Sequence, residues 1–139
     1  MTDQAKEISQ ILSDSRTVAV IGMSDKTDRD SYVVGMYLHR HGYTVVPVNP
    51  TCQTIGGLQC YPSLKKIPDQ IQVDIVDIFR RSDAVPPIVE EAIERNVPTI
   101  WMQIGANHEE AARRARAKGI QVISDTCIKK EHESRHIAS

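Results

Sequence analysis

The ten residues Gly22-Met-Ser-Asp-Lys-Thr-Asp-Arg-Asp-Ser31 follow a β-branched run and precede a helical pattern that contains Gly35. A strand, a polar loop and a helix start bring free backbone N–H groups and the positive end of a helix dipole to one point, which suits a phosphate. Gly22, Met23, Ser24, Lys26, Arg29 and Ser31 are therefore candidate anion-binding residues. Lys26 and Arg29 share the loop with Asp25, Asp28 and Asp30, so the net local charge is small and backbone donors must carry much of any binding. The segment is not G-x-G-x-x-G, because Ser24 stands where the second glycine belongs, and no G-K-[ST] follows to make a P-loop.

Three further segments carry suitable chemistry. Val48-Asn49-Pro50 lacks the acid that a dinucleotide site for NAD places about 20 residues beyond its fingerprint, and instead offers backbone groups and an amide. Those could hold an adenine or a ribose whose hydroxyl is phosphorylated. Phe79-Arg80-Arg81 sets two guanidinium forks beside the only Phe, for phosphate and for an adenine face, unless the arginines are solvated charges pairing with Glu90 or Glu91. Gln103-Ile104-Gly105 follows another apolar run and would border the same crevice.

The cysteines and histidines give weaker signals. Cys52, Cys60 and Cys127 form no C-x-x-C and leave an odd thiol, so neither a disulfide framework nor a zinc knuckle is indicated and a reducing cytoplasm suits them. Cys127 is the thiol best placed to form a mixed disulfide with a thiol ligand, against the plainer reading of a small buried residue. His39 and His41 end a helical segment on the side opposite the crevice, and His108 opens another helix without a Ser or Cys partner in view. His132 and His136 are four apart and could share a helical face, but no further ligand completes a metal site. Asp74 and Asp77 do not make a phospho-acceptor site, because Val18 to Gly22 lacks the acidic pair that such a site needs.

These groups need a frame, and the apolar runs supply one. Thr17–Gly22, Tyr43–Val48, Val73–Phe79, Val97–Met102 and Gly119–Ser124 start about 22 to 30 residues apart, the length of a βα unit, and most are β-branched. Helices are expected over Ser31–His41, ending at Gly42, and over Asp83–Asn96, with Ser82 or Asp83 as cap and Pro86 and Pro87 in the first turn. A third is expected after an Asn107 cap and ending at Gly119, and a fourth near Gln4–Leu12 before the first strand. The stretch Asn49–Gln72 reads as loop-dominated with one short helical candidate at Ser63–Lys66, and Lys129–Ser139 as a frayed polar tail. The expected fold is α/β, a Rossmann-like doubly wound five-stranded parallel sheet in three α/β/α layers, with ligands beyond the carboxyl ends of the strands.

Composition agrees with a single domain spanning residues 1–139. The 139 residues are 40% hydrophobic, and 17 Lys+Arg against 18 Asp+Glu give a net charge of −1, without the basic excess that nucleic-acid binding requires. With one Phe, one Trp and four Tyr, stacking platforms for single strands are scarce. Met1–Ser15 is polar, and no stretch has the roughly 18 consecutive apolar residues of a membrane span, so a soluble cytoplasmic protein is expected.

Taken in order, five blocks resemble the CoA-binding domain family, the stand-alone relatives of the Rossmann-type domain in the succinyl-CoA synthetase α subunit. They are Val20–Ser24 with Lys26, Arg29, Ser31 and Tyr32; Gly42-Tyr43 with Val46–Pro50; Asp74 through Phe79–Ser82; Trp101–Gly105; and Asp125–His132. The resemblance implies CoA or an acyl-CoA as ligand, with Gly22 to Lys26, Val48 to Pro50, Phe79 to Arg81 and Gln103 to Gly105 around it. Two positions depart from the family pattern: Thr126 stands where an Arg is usual, and Asp30 where Pro is common. The synthetase relative draws on a phosphohistidine from a second domain, so the expectation here is a binding or regulatory module without catalysis of its own, with an unknown protein partner. The competing expectations are an NADP-dependent enzyme or subunit, which Arg80 and Arg81 would suit, and a scaffold with a vestigial crevice.

Overall fold

β-Branched runs with hydrophobic residues on both faces form strands that must be covered on both sides. In a computed structural model, which describes residues 2–135, such runs make one five-stranded parallel sheet. In chain order the elements are α1 (Asp3–Asp14), β1 (Thr17–Ile21), α2 (Asp30–Arg40), β2 (Thr44–Val48), β3 (Thr54–Ile55) and β4 (Leu58–Gln59). They continue with β5 (Ile75–Ile78), α3 (Val85–Glu94), β6 (Thr99–Met102), α4 (Glu109–Ala117), β7 (Gln121–Ile123) and α5 (Ile128–Glu133). The sheet order is β2-β1-β5-β6-β7, with Val20 paired to Pro47 on one side and Asp77 on the other. The chain leaves β1 toward β2 and returns to its other side at β5. That reversal opens a crevice between the loops that follow β1 and β5.

Alternation along the strands divides the core between the two faces. Ala19, Ile21, Val76, Ile78, Ile100 and Met102 pack with Val85, Val89 and Ala92 of α3 and Ala111, Ala112 and Ala115 of α4. Val18, Val20, Ile75, Trp101 and Ile123 pack with Ile8 and Leu12 of α1, Val34 and Leu38 of α2, and Ile128 of α5. The three-layer Rossmann-like architecture is as the sequence indicates. Trp101 is a core residue, with its Nε1–H donating to the Thr126 carbonyl at 2.9 Å.

The structure corrects three local expectations and adds detail to another, the loop-dominated crossover, whose short helical candidate is a 3-10 turn at Leu64–Lys66. A 3-10 turn at Ser82–Ala84 leads into α3, whose N-cap is Ala84, so neither Ser82 nor Asp83 caps it; the prolines nevertheless sit at the first helical positions. His108 replaces Asn107 as the cap of α4: its Nδ1 accepts the Ala111 N–H at 3.1 Å, a role open to the unprotonated nitrogen of an imidazole. The loop-dominated crossover contains the β3–β4 hairpin, turned by Gly56 and Gly57. Arg95 secures the rest of that crossover by donating to the carbonyls of Leu64, Ile67, Pro68 and Ile71 at 2.7 to 3.4 Å.

Fourth, the stretch from Lys129 is not frayed as far as Arg135. Ile128 and His132 are buried on one face of α5, and Arg135 donates to Ser9 Oγ at 2.8 Å and to Glu131 Oε1 at 2.9 Å, tying α5 to α1. His136 and the rest of the expected frayed tail lie outside the described residues. No helix among the described residues is long and apolar enough to cross a membrane.

Candidate functional site

The loop after β1 is held by hydrogen bonds at several points. Gly22 N–H donates to the Val48 carbonyl at 2.8 Å, and Asn49 Nδ2 donates to the Met23 carbonyl at 2.9 Å. Ser31 Oγ accepts the Ser24 N–H at 2.9 Å, and Ser24 Oγ accepts the Lys26 N–H at 3.0 Å. Gly22 has φ +83°, a left-handed value that glycine adopts without strain. Arg29 occupies the N-cap of α2 and makes no side-chain cap bond, so the first-turn N–H groups of this helix remain for an incoming acceptor.

These features form one wall of a cleft of about 660 Å³ at the carboxyl edge of the sheet. Gly22, Ser24, Lys26, Arg29 and Ser31 line it from the β1–α2 side, and Phe79, Arg80 and Arg81 from the end of β5. Ile104 and Gly105 close it from the end of β6. Four cations thus surround the open end of α2, partly countered by Asp28 and Asp30. Arg81 reaches Asp83 at 3.5 Å with 87% of its side chain exposed, whereas Arg80 makes no ion pair among the described residues. Glu90 pairs with Arg114 and Glu91 accepts the Lys65 N–H, so neither acid takes Arg80 or Arg81.

Two smaller clefts adjoin the first. One of about 280 Å³ shares Gly22 and Arg80 with it and is walled by Val48, Pro50, Pro62, Leu64, Pro87 and Ile88, a mainly apolar slot with Glu91 at its edge. The other, about 290 Å³, shares Asp30, Phe79 and Ile104 and adds Val33, Val34, Gln103, Cys127, Lys129 and Lys130. Val33 and Ile104 are the large hydrophobic side chains left exposed among the described residues, and both lie here.

The expected site residues therefore distribute over three connected clefts rather than one. Met23 and Asn49 line none of the three: Met23 is fully buried, with its thioether filling the space beside Gly35, and the Asn49 amide is committed to Met23 and Thr51. Both act by building the loop. Val33, Pro87 and Ile88 are lining residues the sequence reading did not single out; the available signal was an apolar Val33 one position off the buried stripe of α2.

Ionisable groups behind the clefts are shifted by burial. Asp77 is fully buried between Val20 and Trp101 in the sheet and neither carboxyl oxygen has a partner, so desolvation holds its pKa well above the usual carboxylate value. Burial, aided by His41, lowers the pKa of His132, which contacts the Tyr37 hydroxyl at 2.7 Å through Nδ1. His132 thus belongs to the α2–α5 packing. No group of three or more His, Cys, Asp or Glu residues that could hold a metal occurs among the described residues.

The sequence and the fold recur in known proteins. The chain matches the model of the CoA binding domain over residues 16–133. It is 43% identical over 126 residues to YneT, an uncharacterized protein of Bacillus subtilis (strain 168), covering 91% of this chain and 92% of that one. It is 37% identical over 82 residues to ADP-forming acetate–CoA ligase I of Archaeoglobus fulgidus, which is 59% of this chain and only 12% of the ligase. A hypothetical protein from Pyrococcus horikoshii OT3 has the same fold, with a TM-score of 0.90, 34% identity, and coverage of 96% of this chain and 92% of its own. A dinucleotide-forming acetyl-coenzyme A synthetase from Ca. Korarchaeum cryptofilum matches with a TM-score of 0.73 and 26% identity over 84% of this chain and 27% of its own. With a family model spanning nearly every element from β1 to α5, the chain belongs to the CoA-binding domain family.

Proposed function

We propose that this protein binds coenzyme A or an acyl-CoA across the three clefts and does so without catalysis of its own. The observation that carries the reading is the uncapped N-terminus of α2 facing Arg80 across a 660 Å³ cleft, with a mainly apolar slot on one side and a cleft of mixed lining on the other. The diphosphate suits the helix end, Lys26 and Arg29. The adenine suits the mainly apolar slot formed by Pro50, Pro87 and Ile88. Arg80 stands between those two clefts, where the 3′-phosphate of the ribose would need a cation. The remaining arm, with its amides and terminal thiol, then extends toward Gln103 and Cys127.

Support for a binding role comes from the histidines: none among the described residues lines any of the three clefts, and the ring of His108 is engaged at the α4 cap. Such a module would report acyl-CoA or present it to a partner protein in the cytoplasm. Native mass spectrometry of the purified protein, alone and with added CoA, tests the reading. One bound CoA per chain is expected, and dephospho-CoA, which lacks the 3′-phosphate, is expected to be retained less. A protein that retains no CoA, or retains both forms equally, contradicts the arrangement.

A further inference from the structure

The third cleft has chemistry that phosphate or adenine binding does not require. Cys127 is a free, half-buried thiol in its wall. Gln103, only 5% exposed, lines the same cleft. Its Oε1 accepts the Ile128 N–H at 3.1 Å, which fixes the orientation of the amide, and no hydrogen bond of the described residues uses its Nε2. A buried amide donor is thus left facing a cleft whose apolar walls are Val33, Val34, Phe79 and Ile104 and whose rim carries Asp30, Lys129 and Lys130. A donor with this surplus is matched by a ligand carbonyl, and the apolar walls by methylene groups. Cys52 and Cys60 line none of the three clefts.

We propose that the third cleft receives the amide-and-thiol arm of the ligand, and that Cys127 exchanges with CoA disulfide to hold CoA covalently. This rests on the reading that CoA occupies the first two clefts. The Cys127 thiolate attacks one sulfur of CoA–S–S–CoA; that S–S bond breaks as the Cys127–S–S–CoA bond forms, and the second CoA leaves as a thiolate that takes a proton from water. One disulfide and one thiolate stand on each side of the step, so no further oxidant is consumed. Gln103 Nε2 would hold an arm carbonyl while Cys127 meets the sulfur. The protein would then sense the oxidation state of the CoA pool as well as its presence.

Incubation of the reduced protein with CoA disulfide, followed by intact mass and peptide mapping, tests the proposal. The expected product is one adduct of CoA less a hydrogen, mapped to Cys127 in the wild-type protein and absent from Cys127→Ser. Positioning by the clefts should make the initial rate at least about tenfold faster than with oxidised glutathione, which lacks the nucleotide. An adduct mapped to Cys52 or Cys60, a Cys127→Ser protein that still gains the CoA mass, or equal rates with the two disulfides would overturn it. Titration of reduced CoA into the wild-type protein separates the two readings. Binding without adduct formation defeats this proposal alone, and an absence of binding defeats the CoA reading with it.

Discussion

Gly22 lies against the carbonyl of Phe79 so closely that a Cβ there would overlap that oxygen and approach Arg80 Cδ to 2.8 Å. The end of β1 and the end of β5 are therefore packed backbone to backbone at the floor of the main cleft. The loop that offers N–H groups and the strand end that offers Arg80 cannot be positioned independently.

Gly22→Ala should fail on two counts, since the side chain meets backbone and φ is +83°. A loss of about 2–4 kcal/mol of stability is expected, from strain and overpacking together. Thermal or urea unfolding measures it, and a variant as stable as wild type would show that the two strand ends can separate.

Arg80→Ala should weaken CoA binding by about 1.5–3 kcal/mol, as for a charge-assisted phosphate contact. Arg81→Ala should cost less, because Arg81 is 87% exposed and spends part of its charge on Asp83. Titrations of the two variants at equal ionic strength check the order. An unchanged dissociation constant for Arg80→Ala would return that arginine to the solvated surface.

Asp77 should make stability fall as pH rises. Its folded pKa is raised well above the ordinary value by burial, so above about pH 4 the unfolded chain has released a proton that the native state still holds. Asp77→Asn, neutral at every pH, should remove this slope and raise the thermal midpoint at neutral pH. A midpoint that drops at neutral pH in Asp77→Asn would mean that the charged carboxylate has a stabilising partner.

His132 has the opposite slope. Burial and the nearby His41 lower its folded pKa, with Glu133 opposing, so as pH falls through about 6.5 the unfolded chain takes up a proton that the native state resists. Stability should decline on acidification there. His132→Asn, which keeps a polar partner for the Tyr37 hydroxyl, should flatten this part of the pH–stability curve; an unaltered curve would exclude His132 as its source.

Most of the frame was legible because it depends on local chemistry. β-Branched runs such as Thr17–Ile21 form buried strands, and Gly42 and Gly119, with φ of +94° and +85°, stop their helices as the sequence indicates. The misses depend on distant partners. Arg95 orders a crossover some 24 to 31 residues away in sequence through four carbonyls, and nothing near Arg95 announces this. α5 looks polar, yet Ile128 and His132, four apart, find a buried face against α2 and α1. At the site, residue types located the cleft, but not that Asn49 and Met23 would serve the loop rather than line the cleft, because that follows from which loop each side chain meets.

Selectivity of the cleft at the end of α2 for CoA is read by isothermal titration of the protein with CoA, acetyl-CoA, NADP and NAD under reducing conditions. CoA and acetyl-CoA should bind one per chain and more tightly than NADP, with NAD weakest because no acid stands at the end of β2 to take its ribose. Tighter binding of NADP than of CoA, or heat from neither, would contradict it.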